Sequence, residues 1–350
     1  FQQYNWPTAL PSSVYNRGPN NDRYSLNPRE IYSWTALAKG GAAGTATITD
    51  KKPMNANNNY CVEINITNSG SGDVAGYGIA ANGYSNKATN VTTPSMPIKA
   101  GVSYDLSLYL QGETYSGKIK VFLENASGEL NSNVLVFEGL SGEWQKFEGQ
   151  LTALRTEDNR MMVMGDAEGT FYIDYVMLYP EKSELWRDGA AGGLRKDLAQ
   201  AIADLSPKFM RFPGGCCSEG KSQDRLYRWK DTVGPREERR QMPNYWGYWS
   251  SNEIGFYEYF CLAEELGATP LPVVGLGLTC PFHRGSNYYE APIGEPGSAE
   301  REEYMRTYVQ DALDLIEFCN GGTDTVWGKL RADMGHPEPY NLEYISIGNE

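Results

Sequence analysis

Apolar and polar residues alternate with period two through much of the first 180 positions. The runs 44–50 (GTATITD), 60–68 (YCVEINITN), 103–112, 117–125, 133–140, 144–151 and 169–180 each read as a strand facing a core and solvent in turn. Gly, Asn, Ser and Asp separate these runs, and no helical period competes over more than a few residues. Short strands at this spacing predict an antiparallel β-sandwich.

Near residue 183 the period changes. Segment 194–205 places Leu194, Leu198, Ile202 and Leu205 on one helical face, and Pro207 stops the helix. A short buried strand, KFMRFPGG, follows. A second amphipathic helix spans 254–268 and closes at Gly267, leading into a strand over 269–277. A third helix, 301–322, carries Tyr304, Tyr308, Ala312, Leu315 and Cys319 along one stripe, and the chain closes on EYISIGNE, read as a strand packed on both faces. Helices alternating with short apolar strands predict a parallel sheet covered by helices. Long strand-to-helix loops and short helix-to-strand loops match a βα-barrel, whose chemistry gathers at the strand C-termini. A doubly wound open sheet is the alternative, but no Gly-rich phosphate loop opens any helix. The predicted domains are 1–182 and 183–350.

Composition narrows the partners. The net charge of −13 over 350 residues argues against nucleic acid and anionic membrane, both of which attract basic patches. A neutral carbohydrate fits, and 24 Tyr with 8 Trp suit stacking on sugars. Apolar runs fall short of a membrane span, and the first residues lack the basic and apolar regions of a signal peptide. A secreted or periplasmic location is expected over a cytoplasmic one. The six cysteines form no CxxC pair and no pattern with His283 and His336, so no structural zinc is expected. Cys61, Cys261 and Cys319 read as small core residues.

Candidate chemistry sits at three strand ends. The first gives Arg211, Pro213, Gly214, Gly215 and Cys216; the second Gly275, Gly277, Thr279 and Cys280; the third Asn349 and Glu350. A carboxyl at a barrel strand end, beside an amide, is placed to transfer a proton. Plainer readings stand beside each. Asn349 and Glu350 could enter a solvated loop, Arg211 could tie strand ends together through a carboxylate, and Cys216 could be a small residue in a tight turn.

The segments DLSPKFMRFPGGCCSEG (204–220), YRWKDTVGPREER (227–239), YWGYWSSNEIGFYEYFCLAEELGATPLPVV (245–274) and HPEPYNLEYISIGNE (336–350) closely resemble the α-L-arabinofuranosidases of glycoside hydrolase family 51. The resemblance runs through nearly all of 184–350 and implies a (β/α)8 TIM barrel, of which about strands 2–4 are present. It implies retaining hydrolysis through two carboxylates, with Glu350 as general acid/base and no metal or cofactor. It also implies that Asn349 holds a sugar hydroxyl, that Cys216 lies against the arabinose, and that Trp249 lines the pocket mouth. The expected substrate is an arabinose-containing plant cell-wall polysaccharide or oligosaccharide, cleaved from its non-reducing ends. Residues 30–180 resemble the jelly-roll, carbohydrate-binding-module-like domain that longer members insert after the first barrel strand. Family members often form homo-oligomers. The first barrel strand and the nucleophilic Glu should lie outside these 350 residues, so the chain is expected to be a fragment, inactive alone and completed by the remainder of the barrel. A β-glycanase of the same clan and a non-catalytic carbohydrate-binding protein are the rival expectations.

Overall fold

The computed structural model describes residues 34–57, 60–83, 93–189, 192–220, 226–240, 242–243, 249–250, 252–280 and 293–349, with only the backbone described at 242–243 and 249–250. The chain divides into two compact units, 1–185 and 186–350.

The first unit is built from strands β1 (Trp34–Lys39), β2 (Ala43–Thr49), β3 (Cys61–Asn68), β4 (Gly76–Ala81), β5 (Met96–Ile98), β6 (Ser103–Gln111), β7 (Ile119–Asn125), β8 (Leu135–Phe137), β9 (Gln145–Thr152), β10 (Glu157–Gly165) and β11 (Gly169–Pro180). One sheet runs β1-β4-β10-β7-β8, with β5 also on β10, and the other β2-β3-β11-β6-β9. Every recorded pairing in them is antiparallel. Alternate residues of both sheets meet in a single core: Ile79, Val121 and Val163 from one, Ile64, Leu108 and Phe171 from the other, all 0% exposed. This is a β-sandwich.

The second unit holds α1 (Lys196–Asp204), β12 (Phe209–Phe212), a short hairpin of β13 (Met242–Pro243) and β14 (Trp249–Ser250), α2 (Phe256–Glu265), β15 (Thr269–Val274), α3 (Ala299–Asn320), α4 (Val326–Asp333) and β16 (Ser346–Ile347). The three longer-range strands form a parallel sheet in the order β12-β15-β16. Its aromatic core joins Phe212, Trp229, Phe256, Phe260, Leu315 and Phe318. Helix α3 starts where the Ser298 hydroxyl accepts the Arg301 N–H, and α4 where Thr325 does the same for Gly328.

Three expectations about burial change. On α1, Leu205 and Leu198 face solvent, and Ala199 is the residue packed inward. Phe209, expected in a buried strand, is 65% exposed, and Tyr344 and Ile347 of the closing segment are also exposed. For the two strands the cause is shared: β12 and β16 each pair only with β15 among the described residues, so their outer sides lack a neighbour. Helix α4 has no counterpart in the periodicity reading.

Candidate active site at the ends of three parallel strands

Because β12, β15 and β16 run parallel, their C-terminal ends lie at one end of the sheet. The chain leaves β12 through Pro213 and Gly214 into a 3-10 turn, Gly215–Cys217. Gly214 adopts a positive φ of 66°, and a Cβ there would fall 2.3 Å from Arg211 Nη1. Only glycine meets both demands, so it leaves room for the guanidinium to lie over the turn.

Arg211 Nη2 donates to Asn349 Oδ1 at 2.8 Å, joining the ends of β12 and β16 across the sheet. The tie predicted for Arg211 therefore exists, but it runs through a carboxamide rather than a carboxylate. The backbone N–H of Asn349 donates to Glu219 Oε1 at 3.0 Å, and Gly348 N–H donates to Val274 O at 2.8 Å. With Oδ1 held by a cation, the carboxamide of Asn349 has a fixed orientation. Its Nδ2 is buried without a hydrogen-bond partner among the described residues. A buried amide donor in that state is costly unless a ligand uses it.

Cys216 sits half-buried in the turn after β12, at the same sheet end. Its neighbour Cys217 packs against the aromatic core, and burial pushes its thiol up to about 11. Cys217 thus stays protonated and unreactive near neutral pH. Neither is in a disulfide. Trp249 lies in β14, paired with Pro243; its side chain is outside the described residues. Glu350 also lies outside them. The structure thus brings Arg211, Asn349 and the turn carrying Cys216 to one end.

The segment following the turn is anchored from beneath. Arg228 grips Asp311 of α3 with both carboxylate oxygens, at 2.7 and 2.6 Å, and Trp229 Nε1 donates to Asp311 O at 2.7 Å. Further on, Arg239 pairs with Glu258 of α2 through two bonds of 2.9 Å, while its Nη1 also donates to the carbonyls of Asn252 and Glu253. Both Arg239 and Glu258 are buried, and such a pair persists only when fully hydrogen-bonded. It clamps both ends of the stretch that carries Trp249. A small cavity near the end of β15, lined by Tyr227, Arg228, Gly275, Tyr308 and Asp311, has room for about one water and none for a sugar.

Glu219 escaped the sequence reading. Its signal was a lone carboxyl in a turn of small residues, CCSEG, where a charge needs a partner. No group of three or more metal-ligating side chains occurs among the described residues, and no helix among them is long and apolar enough to cross a membrane.

Residues 201–350 match the family model of the alpha-L-arabinofuranosidase 1 domain. An extracellular exo-alpha-L-arabinofuranosidase of Streptomyces chartreusis is 33% identical, the alignment covering 98% of this chain and 38% of that protein. Alpha-L-arabinofuranosidase 1 of Arabidopsis thaliana is 30% identical over 99% of this chain and 46% of its own length. The chain thus spans less than half of these two relatives. The fold matches a solved structure of an arabinose-bound GH51 α-L-arabinofuranosidase at a TM-score of 0.76 and 22% identity, covering 99% of this chain and 51% of that one. The chain is thus similar over nearly its whole length to α-L-arabinofuranosidases, and its residues 201–350 match their domain model.

Proposed function

We propose that the protein removes terminal α-L-arabinofuranosyl residues from arabinoxylan- or arabinan-type polysaccharide by a retaining, two-carboxylate mechanism, with Glu350 as general acid/base. The observation that carries this reading is the convergence on Asn349, the residue before Glu350, of Arg211 from β12 and Glu219 from the following turn. Fixed polar groups at the C-terminal ends of parallel strands are the usual setting for barrel chemistry.

On this reading β12, β15 and β16 are about the second to fourth strands of a (β/α)8 barrel, and further polypeptide, of the same or another chain, supplies the rest. The outer sides of β12 and β16, unpaired among the described residues, support this, as do Val309, Leu313 and Ile316, exposed along α3. The sandwich is the jelly-roll, carbohydrate-binding-module-like domain. A carboxylate on the remaining barrel attacks the anomeric carbon while Glu350 protonates the departing glycosidic oxygen. Glu350 then takes a proton from the water that releases arabinose, which regenerates both groups. The two carboxyls must stand about 5 Å apart for this retaining route. Asn349 Nδ2 donates to a sugar hydroxyl, Cys216 lies against the ring, Arg211 holds Asn349, and Trp249 lines the entrance. No cofactor enters the scheme. A secreted location follows the extracellular Streptomyces relative.

The test uses full-length protein and a nitrophenyl α-L-arabinofuranoside. Arabinose release without cleavage of β-glucan supports the reading, whereas glucan cleavage, or polysaccharide binding with no turnover, replaces it. Glu350→Ala should lower turnover of natural substrates about 100-fold or more beyond its effect on activated aryl substrates, since a good leaving group needs little protonation. Equal losses on both would remove the acid role.

A further inference from the structure

We propose that Glu219 is a positioning residue of this site: its buried carboxylate fixes the backbone at Asn349, the residue before Glu350. The inference rests on the glycosidase reading and adds a residue to it.

Glu219 is 4% exposed. A carboxylate taken out of water persists where donors satisfy it, and one of its donors is the Asn349 N–H, at 3.0 Å and 130 positions away in sequence. The carboxylate itself is held still by its turn. Ser218 N–H donates to Gly215 O at 3.1 Å and Gly220 N–H to Cys216 O at 2.9 Å. Cys280 N–H, beyond the end of β15, donates to Gly220 O at 3.1 Å. A Cβ at Gly275 would lie only 3.0 Å from Ser218 O, so the bare glycine at the end of β15 lets the turn settle against that strand.

Asn349 is therefore held three ways. Glu219 takes its amide, Arg211 takes its carboxamide oxygen, and the preceding Gly348 is tied to Val274 O. These bonds set the position of Asn349, the residue that precedes Glu350 in the sequence. Glu219 touches neither sugar nor reacting atoms in this scheme; it acts through Asn349. Misplacement of a reacting group by about 1 Å can cost about 100-fold in rate.

The experiment compares full-length wild type with Glu219→Ala, Glu219→Gln and Glu219→Asp. Turnover is measured on a nitrophenyl and an alkyl α-L-arabinofuranoside, and amide hydrogen exchange is followed at Asn349. Glu219→Ala should lower kcat on the alkyl substrate about 10- to 100-fold with KM within about threefold, and should speed exchange at Asn349 about tenfold or more. Glu219→Gln keeps an acceptor oxygen of the same reach and should restore most of both. Glu219→Asp keeps the charge but falls one methylene short, so it should show an intermediate loss even if the alanine variant does not fold. A merely structural role would instead raise exchange throughout 186–350 and scale turnover on both substrates alike. That outcome, or wild-type kcat and Asn349 protection in the alanine or aspartate variant, overturns the proposal. If wild type releases no arabinose, the glycosidase reading fails by itself, and exchange at Asn349 still decides whether Glu219 fixes the strand end.

Discussion

The sandwich and the α/β unit treat their apolar surface in opposite ways. In the sandwich two sheets close on one core, and strands such as β6 and β11 bury four residues each against it. Among the described residues the α/β unit has three parallel strands, with β15 between β12 and β16, and it leaves Leu205, Phe209, Val309, Leu313 and Ile347 in solvent. The candidate chemistry sits in the unit whose packing is the less complete. On the barrel proposal, the site draws on many strand ends, so its supporting unit cannot close within a few strands, whereas a sandwich closes as soon as two sheets meet.

The largest expected effect comes from separating the two. Residues 1–185 alone should unfold in one cooperative transition, with near-ultraviolet circular dichroism reporting fixed aromatic packing. Residues 186–350 alone should bind a hydrophobic dye and lose the sharp transition, because three short strands cannot cover the apolar side chains they expose. A sharp calorimetric transition from the second piece would break the contrast.

The same contrast explains what was legible in the sequence. β2, β3, β6, β7, β8, β9 and β11 were plain because their sequences alternate apolar and polar residues. β4 and β10 were not, because both of their faces are buried: Met161 and Val163 enter the main core, while Met162, Met164, Ala80 and Phe122 form a second buried cluster on the opposite face. Alternation disappears when both sides are covered. In the α/β unit, α2 and α3 followed their stripes, since Leu315 and Cys319 are fully buried. On α1 the apolar leucines point outward, and the short apolar motif around β16 gave no hint that only one strand pairs with it among the described residues. Of the site, the strand-end residues were readable from Pro-Gly-Gly and Gly-Asn-Glu. Glu219 was not, because a single hydrogen bond to a backbone amide 130 residues away leaves no local pattern.

Charge burial sharpens the comparison at a smaller scale. In the sandwich Glu124 is 0% exposed and lies between two cations, Arg160 Nη2 and Lys39 Nζ, each 2.5 Å away. Removing it strands both cations on a covered sheet face. Glu124→Ala should cost about 3–5 kcal/mol, read by urea unfolding of the sandwich transition. A loss below about 1 kcal/mol would mean that the two cations reach solvent without help from the carboxylate.

The smallest effect, and the one of opposite sign, belongs to Asp231 in the segment after β12. Burial raises its pKa above the ordinary 3.8, Arg240 and Arg228 only partly oppose this, and Asp311 adds to it. Its nearest cation, Arg240 Nη1, stands 3.7 Å from Oδ2. The folded state therefore holds the Asp231 proton to higher pH than the unfolded chain does. Stability from this group is present at low pH and falls as pH rises from the ordinary carboxylate range through the raised folded value. At neutral pH the ionised carboxylate is a net cost, unlike Glu124 with its two close cations. Asp231→Asn, which removes the charge and keeps the shape, should leave neutral stability unchanged or raise it by on the order of 1 kcal/mol or less. It should also flatten the pH dependence of stability over that acidic window. A variant that is clearly less stable at neutral pH would mean that the two arginines outweigh burial, and Asp231 would then join Glu124 as a paired charge.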